Sequence, residues 1–141
     1  MAFEFAQKVL FKHCDPAGIV FYPRYFEMMN DCVEAFFAQI GAPFEEIHRD
    51  GAVPTAQIST RFTAPSRHGD HLVLTLKPVR LGNSSLTIQT QATCGDALRF
   101  ETEATLVYVA QNGRPTPWPD TIHRALLPFL EGTDDLENNS A

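Results

Sequence analysis

Apolar and polar residues alternate along most of this chain, and one stretch near the amino end follows a different period. Phe3, Phe5, Val9 and Phe11 fall on one side and Glu4, Lys8 and Lys12 largely on the other, so residues 3 to 11 predict a first strand. Between Arg24 and Ile40 the apolar set Tyr25, Met28, Met29, Cys32, Phe36 and Ile40 recurs at helical spacing. Phe26, Val33 and Phe37 widen that stripe, which predicts a helix that is mostly buried. Gly41, with Pro43 just beyond, is its terminator.

Beyond the helix the period returns to two. Ala56, Ile58, Thr60 and Phe62 alternate against Gln57, Ser59, Arg61 and Thr63, and Leu72, Leu74 and Leu76 form a second run that Pro78 is expected to end. Gly82-Asn83 turns the chain into a third run, with Leu86, Ile88, Thr90, Ala92 and Cys94 on one face. A last strand is expected from Leu98 to Ala110, with Phe100, Ala104, Leu106 and Tyr108 inward. Four strands after one central helix imply an α+β layer, an antiparallel sheet wrapped round that helix. A proline-stiffened connector, Asn112 to Pro119, leads to a short terminal helix from Asp120 to about Leu130. Residues 132–141 lack apolar periodicity and are expected to be disordered, leaving one domain over 1–131. One sheet round one helix leaves an edge strand and a sheet face uncovered, so a homodimer, or a dimer of dimers, is expected.

Between the first strand and the helix lies Asp15-Pro16-Ala17-Gly18-Ile19-Val20-Phe21-Tyr22-Pro23-Arg24-Tyr25. Pro16 pushes Asp15 out of the α region and Gly18 lets the chain bend freely, so a turn presents the carboxylate. Pro23 suits the first helical position, where its missing N–H costs nothing. Tyr22, at the cap, has no short side-chain oxygen for the first-turn amides. Free amides at the positive end of a helix dipole can hold a developing negative charge. The segment thus offers a nucleophilic or basic group beside an electrophilic site, although an aspartate in a turn can equally bond only its own local amides.

This run resembles the active-site segment of the 4-hydroxybenzoyl-CoA thioesterase family of hotdog-fold proteins. Arg61-Phe62-Thr63-Ala64-Pro65-Ser66-Arg67-His68-Gly69-Asp70 is similar to the family's strand and Pro-x-x-x-Gly-Asp turn. The resemblance spans roughly residues 3 to 127. It implies a five-stranded antiparallel sheet round one long helix, pairing of two such units, and hydrolysis of an aryl-CoA or short acyl-CoA thioester without a cofactor. By the same resemblance Asp15 is the catalytic carboxylate, the Tyr22 backbone N–H faces the thioester carbonyl, and Asn30 faces the acyl pocket. A related branch of thioesterases carries histidine where Tyr22 stands, which favours the aryl-CoA branch here. Candidate substrate contacts are Gly18, Phe21, Pro23, Phe26 and Asn30, with Arg80 for a CoA phosphate. The same scaffold could instead bind acyl-CoA without turnover or hydrate an enoyl thioester. Binding alone needs no carboxylate at Asp15, and a hydratase would pair it with a histidine that residues 14 to 47 lack.

Composition narrows the partners. At 141 residues the chain can bury roughly two-thirds of its unfolded surface without a staple. A net charge of −6 disfavours nucleic acid and anionic membranes. Cys14, Cys32 and Cys94 are an odd set without close spacing, expected as packing residues in a reducing cytoplasm. The amino terminus has no signal-like apolar core and no stretch is long enough to span a membrane. His68, Asp70 and His71 sit in a polar turn with spacing that does not favour a metal. His13 is expected at a strand end, exposed, close enough to Asp15 to tune it. Arg67, Lys77, Arg80 and Arg114 are the other basic groups a CoA phosphate could meet.

Overall fold

A computed structural model describes residues 2–140, with side chains through Leu130. In chain order the elements are β1 (Phe3–Lys8), α1 (Pro23–Gln39), α2 (Phe44–Ile47), β2 (Gly51–Ala52), β3 (Thr55–Phe62), β4 (His71–Leu81), β5 (Ser85–Cys94), β6 (Ala97–Val107), β7 (Val109–Ala110) and α3 (Asp120–Ser140). Five strands form one antiparallel sheet in the order β1-β4-β5-β6-β3. This is the expected hotdog arrangement, with α1 lying along the sheet's inner face.

Alternation decides which residues meet the helix. Leu72, Leu74 and Leu76 of β4, Leu86, Ile88 and Ala92 of β5, and Phe100, Ala104 and Leu106 of β6 are all buried. They join Tyr25, Met28, Met29, Cys32, Phe36 and Phe37 of α1 in one core. Burial pushes the Cys32 thiol up to about 12, so it behaves as a small hydrophobe. Trp118, Ile122 and Leu126 close the core from the carboxyl-terminal side, and the Trp118 indole N–H donates to the Ser85 carbonyl at 3.1 Å. The helix ends where expected, with Ile40 as the cap and Gly41 at φ +88°, a conformation glycine adopts without penalty.

Several expectations are corrected. Strand β1 stops at Lys8, and a 3₁₀ turn over Phe11–His13 replaces its last residues. Pro78 does not end β4, which runs on to Leu81 with a register shift between Pro78 and Arg80. Strand β1 pairs with β4 only as far as Phe3 with Leu76, so at Pro78 no neighbour on that side needs an N–H. Helix α2 and the two-residue pair β2–β7 were not foreseen. The last strand is split into β6 and β7 rather than running unbroken to Ala110. The expected disorder over 132–141 falls on residues whose side chains lie outside those described.

Candidate active site

Asp15 sits in a tight antiparallel turn rather than a loose loop. The Asp15 N–H donates to the Ile19 carbonyl at 2.9 Å and the Gly18 N–H to the Asp15 carbonyl at 2.9 Å. Cys14 bridges Val20, and the Phe21 N–H donates to the His13 carbonyl at 2.9 Å, so residues 13–21 form a small hairpin. Gly18 closes it at φ +82°. A Cβ there would meet nothing within 4 Å, so the backbone conformation, not lack of space, requires glycine. The carboxylate accepts the Ala17 N–H through Oδ1 at 2.9 Å, as a turn aspartate does, and among the described residues no other group bonds to it.

At the other side of the hairpin Tyr22 caps α1 at φ −54°, ψ −33° without a side-chain bond, and Pro23 occupies the first turn. The Arg24 N–H donates to the Phe21 carbonyl at 2.8 Å and the Tyr25 N–H to the Tyr22 carbonyl at 3.0 Å. The expectation that all the first-turn amides stay free therefore narrows to one. Only the Tyr22 N–H finds no acceptor among the described residues.

Aromatic rings cluster at this end of α1. Phe62, the last residue of β3, stacks on Tyr25 with centroids 5.7 Å apart and meets Tyr22 and Phe26 edge-on at 5.9 and 6.1 Å. Phe62 is still 43% exposed, as are roughly half of Phe21 and Tyr22. Asn30 is exposed one turn beyond Phe26 on the same helix flank. Sequence reasoning missed Phe62 as part of this cluster, because a strand-end phenylalanine carries no sign of which helix residue it will meet. Arg80 is not brought here. It lies at the far end of β4, about nine residues and roughly 30 Å from His71, where its guanidinium donates to Thr87 Oγ1 at 3.4 Å.

A second turn holds the first. Ile19 bridges Arg67, and the Val20 N–H donates to the Ser66 carbonyl at 2.8 Å. The segment 65–70 is fixed in turn by Asp70, whose Oδ2 accepts the Arg67 N–H at 2.9 Å and the Arg99 guanidinium at 2.8 Å. Arg99 also donates to the Pro65 carbonyl at 2.9 Å. The Arg67 N–H first, and the Arg99 side chain second, hold the Asp70 carboxyl below its ordinary value. Neither Arg99 nor the fully buried Ser66, whose Oγ has no hydrogen-bond partner among the described residues, was singled out from the sequence. His68 packs against Phe11 with centroids 6.0 Å apart, and His71 is exposed at the start of β4.

His13 is the clearest reversal. It is 4% exposed, not on the surface, and its Nδ1 accepts the Leu10 N–H at 2.8 Å. Burial chiefly, and then the positive charge of Lys12, lower its pKa from the ordinary 6.5. An Nδ1 that accepts is unprotonated, so His13 is a neutral strut for the turn leading into Asp15.

A model described as the thioesterase-like superfamily matches residues 9–126. The chain belongs to that superfamily. It is a hotdog enzyme of the thioester hydrolase class. A 1,4-dihydroxy-2-naphthoyl-CoA hydrolase of Thermosynechococcus vestitus is 24% identical to it over 139 residues, covering 96% of this chain and 95% of that protein. Among solved structures, a 1,4-dihydroxy-2-naphthoyl-CoA thioesterase from Synechocystis aligns with a TM-score of 0.83 at 20% identity, over 90% of this chain and 96% of its own. A Staphylococcus aureus protein solved in complex with CoA aligns with a TM-score of 0.87 at 18% identity, over 93% of this chain and 85% of its own. Among the described residues no helix is long and apolar enough to cross a membrane.

Proposed function

We propose that the thioesters this enzyme hydrolyses are aryl-CoA esters, of the 4-hydroxybenzoyl-CoA kind, with short acyl-CoA esters as poorer substrates. The observation that carries the reading is the Tyr22 N–H, an amide with no acceptor among the described residues, close in register to a carboxylate that uses one oxygen only locally. Asp15 lies in the hairpin and Tyr22 directly follows it, three residues further along in register. That is a backbone separation of roughly 10 Å, which an aspartate side chain and a thioester carbonyl laid end to end can bridge. The Tyr22 N–H, at the positive end of α1, takes the carbonyl oxygen as it gains negative charge. Asp15 then attacks the carbonyl carbon directly, or takes a proton from a water that does so, and CoA leaves as its thiolate. Direct attack would give an acyl-aspartyl anhydride that water hydrolyses.

The rings of Tyr22, Tyr25, Phe26 and Phe62 favour a flat acyl group, because offset and edge-to-face contacts with an aromatic ester exceed what its buried area alone supplies. The cyanobacterial relatives named for a naphthoyl-CoA point to the same substrate class. Gly18, Phe21, Pro23, Phe26 and Asn30 complete the contacts, and the enzyme uses no metal or other cofactor.

The working unit is a homodimer. Strand β3 bonds β6 on one side only, and Ile58 and Phe62 on its inner side are each 43% exposed, so a second β3 would complete the edge and cover the aromatic cluster. Thiol release from benzoyl, phenylacetyl and straight-chain CoA esters tests the substrate class, with the aryl esters expected to give the highest kcat/KM. Preference for a straight chain would refute it. Sedimentation at micromolar protein tests the dimer, and a stable monomer would refute that.

A further inference from the structure

The face of the sheet turned toward α1 carries one polar row between apolar ones. Phe62, Phe100, Ala92 and Leu74 stand side by side across β3, β6, β5 and β4, and so do Ile58, Ala104, Ile88 and Pro78 further along the same strands. Between these two rows lie Thr60, Thr102 and Thr90, with Leu76 at the end. Thr102 is 8% exposed and Thr90 3%, whereas Thr60, on the edge strand, is half-buried and open to a ligand.

Two hydrogen bonds fix where the threonine protons go. Thr102 Oγ1 donates to the Ser59 carbonyl at 3.0 Å and lies 2.8 Å from Thr60 Oγ1. A carbonyl only accepts and a hydroxyl carries one hydrogen, so Ser59 takes the Thr102 proton and Thr60 must be the donor to Thr102. The Thr60 proton is thereby spent inside the protein. Its oxygen keeps its lone pairs, and among the described residues no donor reaches them. Thr60 therefore presents an acceptor and nothing else.

Its depth follows from the course of α1. Tyr25 lies against Phe100 and Phe62, with centroids 4.9 and 5.7 Å away. Near the other end of the helix Phe37 stacks on Trp118, whose indole N–H holds Ser85 next to the row of Leu86, Leu106 and Thr55. The helix thus runs alongside β3 from the level of Phe62 toward that of Thr55. Thr60 is two residues from Phe62, a step of roughly 7 Å, and Asn30 is one helical turn past Phe26, a step of roughly 6 Å. The two polar groups come at matching depths, one on the strand and one on the helix.

We infer that Thr60 sets a preference for acyl rings bearing a hydroxyl at the end remote from the thioester. The inference rests on the aryl-CoA reading above. With the carbonyl at the Tyr22 amide and the ring beside Phe62, the far end of the acyl group extends along β3 to Thr60, and a ring hydroxyl donates to Oγ1. An ether oxygen, a halogen or a carboxylate brings lone pairs against lone pairs and finds no proton there. The residue acts on choice of substrate and takes no part in the bond-breaking step.

Initial rates with the CoA esters of 4-hydroxybenzoate and 4-fluorobenzoate test it, each kcat/KM being divided by that ester's rate of alkaline hydrolysis to remove intrinsic reactivity. Wild type should favour the hydroxyl about tenfold, the scale of one neutral hydrogen bond. Thr60→Val keeps the side-chain shape and suits a strand, and it should abolish the preference, as should Thr60→Ala, while Thr60→Ser should retain it. The ratio is taken within each protein, so a smaller folded fraction cancels. Wild-type indifference to the hydroxyl, or a full preference surviving in Thr60→Val, overturns the inference and leaves the aryl-CoA reading standing. Faster hydrolysis of straight-chain esters than of both aryl esters would instead refute that reading, and this inference with it.

Discussion

Two aspartates occupy comparable turns in this molecule, and their partners differ. Asp70 accepts both the Arg67 N–H and the Arg99 guanidinium through one oxygen, and its turn is tied to β6. Asp15 accepts one local N–H and among the described residues meets no cation. The Ile19–Arg67 bridge joins the two turns, so they share one framework. A carboxylate matched with an arginine serves to hold backbone in place. One left with spare lone pairs is the one that the mechanism proposed above sets against the substrate.

Exchanging carboxylate for carboxamide at each position should separate the two roles. Asp15→Asn keeps the bond from the Ala17 N–H, so the thermal midpoint should barely move, while kcat falls at least about 10²-fold, the lower range for an acid-base group. Asp70→Asn should do the reverse, costing about 1–3 kcal/mol of stability for a charge-assisted bond broken in a partly buried site, with a smaller loss of kcat. Chemical denaturation and initial rates on both variants decide the matter. Near-normal turnover by Asp15→Asn would remove the proposed mechanism.

Gly18→Ala asks whether the Asp15 turn tolerates distortion. A side chain at φ +82° costs about 1–2 kcal/mol, and because the strain falls beside the carboxylate, kcat should drop more than KM rises. Ala substitution at Gly69, at φ +93° in the Asp70 turn, carries the same backbone cost and should leave KM and kcat closer to wild type.

The smallest effects are in pH. Asp70 has a lowered pKa, so its contribution is complete above the ordinary 3.8 and is lost as pH falls through the still lower folded value. His13 is also lowered, but as a base. The unfolded chain binds its proton more readily, so stability is complete above 6.5 and declines as pH falls below it. Thermal midpoints measured from pH 7 downward should show the His13 decline first. In His13→Gln, which can still accept from Leu10, that early step should vanish.

Much of this was legible from residue order. The period-two runs located the five strands, and Pro23 and Gly41 bracketed α1 within a residue. The Asp15 turn was legible because proline and glycine constrain backbone locally. What failed depended on neighbours distant in sequence. Pro78 reads as a stop unless one knows that β1 has already ended beside it. His13 reads as exposed because the 3₁₀ turn that buries it breaks the alternation. Arg99 meets its turn across 29 to 34 residues of chain, and Ser66 meets the Asp15 turn through its backbone carbonyl rather than its side chain, and no spacing rule reaches that far.

The sealed thiol of Cys32 provides a built-in reporter. Alkylating reagents act on thiolate, and a group with a pKa of about 12 in a dry core offers almost none. Cys14 and Cys94 are half-buried and open to modification by comparison. Counting labels per molecule by mass spectrometry should therefore stop at two while the protein stays folded, and the third label should arrive only as fast as the whole core opens.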